Sequence, residues 1–145
     1  MAESYSTICN TLETILSADA RLEGVHITQE LDSPTVDQCP AVLIALRSSN
    51  RVSTRIVAGS SAGTPNNVTI TIELQIWTFS GQGTKDAARN RDDVLAAVIA
   101  VLEDNPSLQA VCHWAHADGV AFQISAQGSG IFAAAALTVS VLLLA

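Results

Sequence analysis

Residues 68–79, Val68-Thr69-Ile70-Thr71-Ile72-Glu73-Leu74-Gln75-Ile76-Trp77-Thr78-Phe79, carry the clearest structural signal in the chain. Aliphatic residues at 68, 70, 72, 74 and 76 alternate with the polar series Thr69, Thr71, Glu73 and Gln75. Because successive side chains of a strand point to opposite faces, this period of two predicts a long β-strand with one face in the core. The other face is polar enough to meet water or a polar partner.

Two helices are predicted on either side of this strand. Apolar residues recur at helical spacing from Tyr5 to Leu16, which indicates an amphipathic first helix closing near Ala18–Arg21. A long helix opens at Thr84 and Asp86 and stops at Asp104-Asn105-Pro106. Its predicted buried stripe is Val94, Leu95, Val98, Val101 and Leu102, and its predicted solvated acids are Asp92, Asp93, Glu103 and Asp104.

The remaining elements are predicted to be extended. Val25–Thr28 is short, and the apolar run Ala41–Leu46 after Pro40 fits a strand covered on both faces. Ser48-Ser49-Asn50 predicts a turn into a partner strand, Arg51–Val57. The last two stretches are 110–124, with a possible break at Asp118-Gly119, and 131–144, after the loop Gln127-Gly128-Ser129-Gly130.

This order of elements predicts a single α+β domain over residues 1–145. Short connections favour antiparallel strands, because a parallel pair needs a long crossover. We therefore expect a mostly antiparallel sheet of four to five strands, with the N-terminal helix and the long helix packed on one side.

Composition excludes several classes of function. A formal charge of −7, with one lysine and six arginines against fourteen acids, opposes binding to nucleic acid or to anionic lipid. Three scattered cysteines make no disulfide framework and indicate a reducing cytoplasm, and the N-terminus does not resemble a signal peptide. The apolar stretch 131–145 is shorter than the ~20 residues that a membrane-spanning helix needs, so a buried strand is expected there and no membrane partner.

Chemistry-bearing residues are sparse. In a strand, Cys112, Trp114 and His116 would share one side with His113 on the other, and Cys112 would lie roughly 13 Å from His116, too far to share a zinc ion. Gly81-Gln82-Gly83 before the long helix lacks the remaining residues of a nucleotide-binding fingerprint. The sequence therefore predicts no catalytic, metal or cofactor site, and a cysteine nucleophile with a histidine base meets the same geometric objection.

Two segments are better candidates for contact with other proteins. Arg47, Arg51 and Arg55 gather positive charge into the predicted hairpin, either as solvated surface or as a contact for an acidic partner. The segment Ala58–Asn67 has no large side chain to anchor it, and a mobile surface loop is expected. Its candidate contact residues are Ser60, Ser61, Gly63 and Thr64.

The order of elements resembles that of the tail terminator proteins of long-tailed bacteriophages, of the lambda type. The resemblance spans most of the chain: the proline-led strand from Pro40-Ala41-Val42, the strand Val68–Phe79, the long helix, the break Asn105-Pro106-Ser107-Leu108 and the final strand containing Ala136–Val141. These are spacings and element types, and not a catalytic signature. The apolar extreme end, Leu142-Leu143-Leu144-Ala145, departs from the family pattern.

The resemblance implies a homo-oligomeric ring, a hexamer, that caps the tail tube, stops its polymerisation and offers the surface to which neck or head-completion proteins attach. It implies no enzyme activity and no cofactor. The ring would be assembled in the host cytoplasm and would lie at the head-proximal end of the virion tail, with DNA passing through it without specific binding. We expect Ala58–Asn67 to order against the tube or the neck. The face carrying Thr69, Thr71, Glu73 and Gln75, or a nearby acidic surface, is expected to border the lumen.

Two other interpretations stay open. A neck or head–tail connector protein, or a minor tail-tube protein, would be built on a related sheet-and-helix unit. A small cytoplasmic enzyme or ligand-binding domain using Cys112 and His116 is the more distant alternative.

Overall fold

A computed structural model of the chain describes residues 5–30, 34–53, 66–109, 112–127 and 130–144. In chain order its helices and strands are α1 (Tyr5–Ala18), β1 (His26–Thr28), β2 (Ala41–Ser53), β3 (Asn66–Ser80), α2 (Thr84–Asp104), β4 (Trp114–Gln127) and β5 (Gly130–Leu144). The five strands form one sheet in the order β1-β2-β3-β5-β4. The predicted α+β fold, with its N-terminal helix and one long helix, is confirmed.

The sheet is mixed, and the exception to antiparallel pairing is its shortest strand. β2, β3, β5 and β4 pair antiparallel, whereas β1 runs parallel to β2 with His26 opposite Ala41. Residues 29–40 connect the two strands, and their described part includes a 3₁₀ turn at Val36–Gln38. The link is long enough to reverse direction twice, as a parallel connection requires.

The central strand β3 separates the two faces of the sheet as its alternation predicts. Ile70, Ile72, Leu74 and Ile76 are fully buried, and they join one core cluster with apolar side chains of both helices, among them Leu12, Leu16, Val98 and Leu102. The intervening Thr69, Thr71, Glu73 and Gln75 are half-buried on the opposite side. We call that opposite side, which carries neither α1 nor α2, the helix-free face.

The predicted turn at Ser48–Asn50 is wrong, and so is the hairpin built on it. β2 runs through these residues to Ser53, with its register shifted between Leu46 and Ser48. Because β3 pairs with β2 along nearly its whole length, strand pairing overrides the local turn preference of Ser and Asn, and a β-bulge at Arg47 absorbs the extra residue. Of the predicted partner strand 51–57, residues 51–53 belong to β2 itself and 54–57 lie outside the described residues.

The first half of β2 is covered on both faces, as its continuous apolar run predicts. Ala41 to Ala45 are all buried. Leu43 is directed to the helix-free face, where it borders a small cavity together with Pro34 and Gln38 from the link between β1 and β2. Burial is lost at Leu46, which is 42% exposed.

The C-terminal half matches its predicted elements closely. α2 buries Leu95, Val98, Val101 and Leu102 as expected, together with Arg91, which the apolar stripe did not predict. β4 and β5 form an antiparallel hairpin in which Gln127 pairs with Gly130, and the predicted break at Asp118-Gly119 is a bulge within β4. Within the described part of the chain, no helix is both long and apolar enough to cross a membrane.

Candidate functional site

The helix-free face is the most extensive open surface of the sheet. It carries the four predicted polar residues of β3 beside small side chains of β5, with Glu73 opposite Thr138 and Gln75 opposite Ala136. Outside these lies β4, with Ala121 opposite Ala136. Ala121, Ala134 and Ala136 form the floor of a shallow trough on this surface, and Glu73, Gln75, Trp77 and Gln123 border it.

A chain of hydrogen bonds ties the polar side chains of this face together. Arg47 donates from Nε and Nη2 to the two carboxylate oxygens of Glu73, at 2.8 and 3.0 Å. Gln75 donates from Nε2 to Glu73 Oε1 at 3.0 Å, and Trp77 donates from Nε1 to Gln75 Oε1 at 3.4 Å. The Arg47 guanidinium lowers the pKa of the Glu73 carboxyl, against a smaller opposing effect of desolvation. A residue predicted to contact partners, Arg47, is thus paired with a residue predicted to face the lumen, Glu73.

The other predicted contact residues do not gather around Arg47 in the described structure. Arg51 lies in β2 with its backbone opposite Val68, four positions beyond Arg47 on the same strand and not across a hairpin from it. Arg55 lies outside the described residues, as do Ser60, Ser61, Gly63 and Thr64. The expected behaviour of the segment 58–67 is therefore untested, except that Asn66 and Asn67 open β3.

An aromatic cluster closes one end of the helix-free face. The Phe132 ring lies edge-on to Phe79 at 5.0 Å and to Trp77 at 6.2 Å between centroids. Phe132 is 9% exposed although neither helix covers it. The cluster was missed from the sequence, because it depends on the β3–β5 register that sets Phe79 opposite Phe132.

A second cluster, also missed, lies toward the other end of the face. Asp118, in the bulge of β4, accepts a hydrogen bond from the Ser140 hydroxyl and lies 2.5 Å from Nε2 of His116. The His116 ring stacks on Trp114, with 4.4 Å between centroids. The signal in the sequence was the break at Asp118-Gly119, which moves an acid toward the histidine two residues earlier.

The geometry of this cluster does not make a nucleophile. A serine becomes nucleophilic when a base such as histidine takes its proton, and here the carboxylate of Asp118 stands between Ser140 and His116. Both His116 and Asp118 are substantially exposed, with side-chain accessibilities of 54% and 42%. Across the described ranges, no group of three His, Cys, Asp or Glu side chains is placed to hold a metal ion.

Cys112 and His116 are not arranged as the sequence predicted. Cys112 precedes β4 and packs against the core, whereas Trp114 and His116 share the helix-free face, so the expected common side of Cys112 and His116 is wrong. The physical reason is that the chain bends at 112–113 before the strand begins. Burial raises the pKa of the Cys112 thiol to about 11, which keeps it protonated near neutral pH.

The outer edge of the sheet beyond β4 is the other conspicuous surface. β4 has 14 residues and pairs only with β5 among the described strands. Phe122 is 58% exposed and Ile124 is 43% exposed. Both side chains lie on the face of the sheet that carries the helices, next to the N-terminal half of α2. The Phe122 ring is stacked by the guanidinium of Arg91, 4.6 Å from its centroid.

An apolar cleft of about 460 Å³ runs beside the first half of the same strand, between β4 and α2. Its apolar walls come from Ile99, Leu102, Val120 and Leu137, and Glu103, His116 and Asp118 are its polar lining residues. Since most of its lining is aliphatic, the cleft is suited to packing with apolar groups.

Comparison of the sequence with models of known protein families and with curated proteins found no match.

Proposed function

We propose that this chain is a virion assembly protein of a bacteriophage tail, acting as the tail terminator. In this role copies of the chain form a ring, a hexamer, at the head-proximal end of the tail. The ring caps the tail tube, halts its polymerisation and presents the surface to which a neck protein attaches. The work is done by shape and subunit contact, without a cofactor.

The open helix-free face is the observation that carries this proposal. This face spans β3, β5 and β4 and is not covered by α1 or α2. Its side chains Arg47, Glu73 and Gln75 hydrogen-bond to one another. A surface of this kind can lie against another protein, or line a channel, without leaving a desolvated charge unpaired. A closed ring needs two different patches on each subunit, and the helix-free face and the β4 edge are two such patches.

The charge of the chain suits a passage for DNA. A wall that attracted phosphate would hold the nucleic acid, whereas a net charge of −7 repels it. On the helix-free face, the positive charge of Arg47 is neutralised by its ion pair with Glu73. We place Thr69, Thr71, Glu73 and Gln75 at the border of the lumen in this proposal.

Removal of the protein from the phage that encodes it tests the role directly. Particles assembled without it should carry over-long tails, because nothing then stops the tube from growing, and negative-stain images would show the distribution of tail lengths. Normal tails without heads would instead identify a neck component, and normal virions would reject the assembly role altogether. A copy supplied in trans should restore one uniform tail length.

Deletion of Ser60–Thr64 addresses which segment makes the joint. The five residues lie between β2 and β3, and we expect the shortened chain to fold, to keep its circular dichroism spectrum and to fail in joining tails to heads. A normal virion yield from this deletion would count against a role for the segment. A deletion phage complemented by the full chain provides the matched comparison.

A further inference from the structure

The edge of β4 is divided by its bulge into two unequal parts. Beyond the register shift between Ala117 and Gly119, the strand runs without further irregularity to Gln127. This nine-residue run, Gly119-Val120-Ala121-Phe122-Gln123-Ile124-Ser125-Ala126-Gln127, contains no charged residue and no proline. Natural edge strands are usually blunted by lysine, proline, bulges or shortness, and the run has none of these protections.

The run is complementary to itself. If two copies pair antiparallel about a two-fold axis at Gln123, each Phe122 lies opposite an Ile124 of the other copy, and each Val120 lies opposite an Ala126. All four residues are on the helix side of the sheet, so both strongly exposed apolar side chains become covered at once. On the helix-free face, the two Gln123 amides meet at the axis and can hydrogen-bond to each other.

We propose that the free protein forms a two-fold dimer by pairing Gly119–Gln127 of two copies into one continuous ten-stranded sheet. A second copy is the occupant of this edge because the run is complementary to itself and no other described strand of the chain can pair with it. The opposite edge of the sheet, β1, has three residues and pairs parallel to β2, so it cannot supply nine residues to a neighbour. The only long free edge in the described structure is β4 itself.

The size of the contact sets its strength. Nine residues at about 3.3 Å each give a strip roughly 30 Å long. A strip of this length with two large side chains per copy buries less than the roughly 800 Å² per partner of a standard stable interface. The dimer is therefore weak and depends on concentration. It differs from the head-to-tail contacts of the proposed ring, because neighbouring copies in such a ring all point the same way and are not related by a two-fold axis. Since both contacts use the β4 edge, the dimer is a state of the free protein and separates before its copies enter the ring.

A cysteine placed on the axis gives the sharpest test. In a background with Cys39→Ser and Cys112→Ser, Gln123→Cys should form a covalent dimer under mild oxidation, because directly opposed residues of an antiparallel pair lie within the Cα separation of a disulfide. Ala121→Cys is the matched control: it is exposed on the same face of the same strand, but its two copies would lie roughly 13 Å apart. Equal yields from the two variants, or no dimer from Gln123→Cys, would overturn the pairing.

Sedimentation of the unmodified chain tests the same contact without a cross-link. The dissociation constant should rise at least about tenfold with Ile124→Lys, which places a charge on the edge. Val36→Lys is its control, since Val36 is comparably exposed but lies on the link between β1 and β2. A strict monomer at millimolar concentration would refute the dimer. These experiments use purified protein alone, so their failure leaves the terminator proposal standing, and tails of normal length in the deletion phage would leave the dimer standing.

Discussion

Arg47 and Glu73 form a two-point ion pair across β2 and β3, with Nε–Oε2 at 2.8 Å and Nη2–Oε1 at 3.0 Å. The bulge in β2 falls at Arg47, and its side chain reaches the helix-free face on which Glu73 lies. The pair is partly exposed, with side-chain accessibilities of 46% and 24%, so its contribution to folding is modest. Its larger consequence is that the two charges neutralise each other on a surface proposed to touch other proteins and to border DNA.

The ion pair predicts how Glu73 titrates. The pKa of its carboxyl should lie below the ordinary range of a glutamate, and Arg47→Gln should raise that pKa because the main lowering influence is removed. Since the folded-state pKa is the lower one, any stabilisation is present above the unfolded value and is lost as the pH falls through the folded pKa. Carboxyl ¹³C NMR titration measures the shift.

A second variant separates this local effect from a general change in charge. Arg21→Gln removes an equal charge from an ion pair with Asp19 and Asp104, which lies away from the sheet. The titration of Glu73 should be unchanged in that variant. A comparable rise in both variants would show that net charge, and not the 2.8 Å contact, controls the carboxyl.

The alternation along β3 predicts a sharp contrast between neighbouring positions. Ile72 is fully buried, and Ile72→Ala should lower the free energy of unfolding by about 2–5 kcal/mol through lost burial and a residual cavity. Thr71→Ala, one residue away on the half-buried helix-free face, should cost less than about 1 kcal/mol. Urea denaturation of the two variants provides the comparison. Similar losses from both would mean that the helix-free face is packed as a second core.

The local sequence pattern was sufficient to predict those strands and helices in which buried residues recur at a regular spacing. The alternation at 68–79 and the apolar stripe of α2 each depend on one element facing one core, so the sequence carries them directly. The turn predicted at Ser48-Ser49-Asn50 is wrong because the turn preference of these residues is weak against the pairing of a long neighbouring strand. The strand order and the parallel placement of β1 depend on contacts between distant segments, and no local pattern records them.

The candidate surfaces also divide into those that a local sequence pattern predicts and those that depend on strand pairing. The polar series of β3 was predicted because it lies on one strand, and the structure places it as expected on the helix-free face. The contact between Ser140 and Asp118 joins residues 22 positions apart through the β4–β5 register and the bulge. The same register sets Phe132 against Phe79. Such sites follow from pairing, so they emerge only once the topology is fixed.

Position 130 is predicted to require glycine for stability, because its backbone lies too close to β3 for a side chain. A Cβ at this position would collide with the ring of Phe79 and would lie 2.8 Å from the carbonyl oxygen of Ser80. Because the backbone oxygen cannot move without disturbing β3, Gly130→Ala should destabilise the chain by about 1–3 kcal/mol, measured by thermal unfolding. Gly81→Ala meets nothing within 4 Å and should leave stability within about 1 kcal/mol. Equal stability of both variants would show that Phe79 and its strand shift freely.

The thiol of Cys112 provides the test that bears on the enzymatic alternative. With its pKa raised to about 11 by burial, roughly one molecule in ten thousand carries the thiolate at pH 7, so Cys112 should react slowly with a disulfide reagent. Burial also raises the pKa of Cys9 and of Cys39, so no fast thiol is expected from either. The rate at Cys112 should rise about tenfold per pH unit until the pH approaches 11, and unfolding in urea should bring all three thiols to the rate of an ordinary peptide cysteine. A single fast thiol at pH 7 that disappears in Cys112→Ser would contradict this account and would favour a catalytic cysteine over an assembly protein.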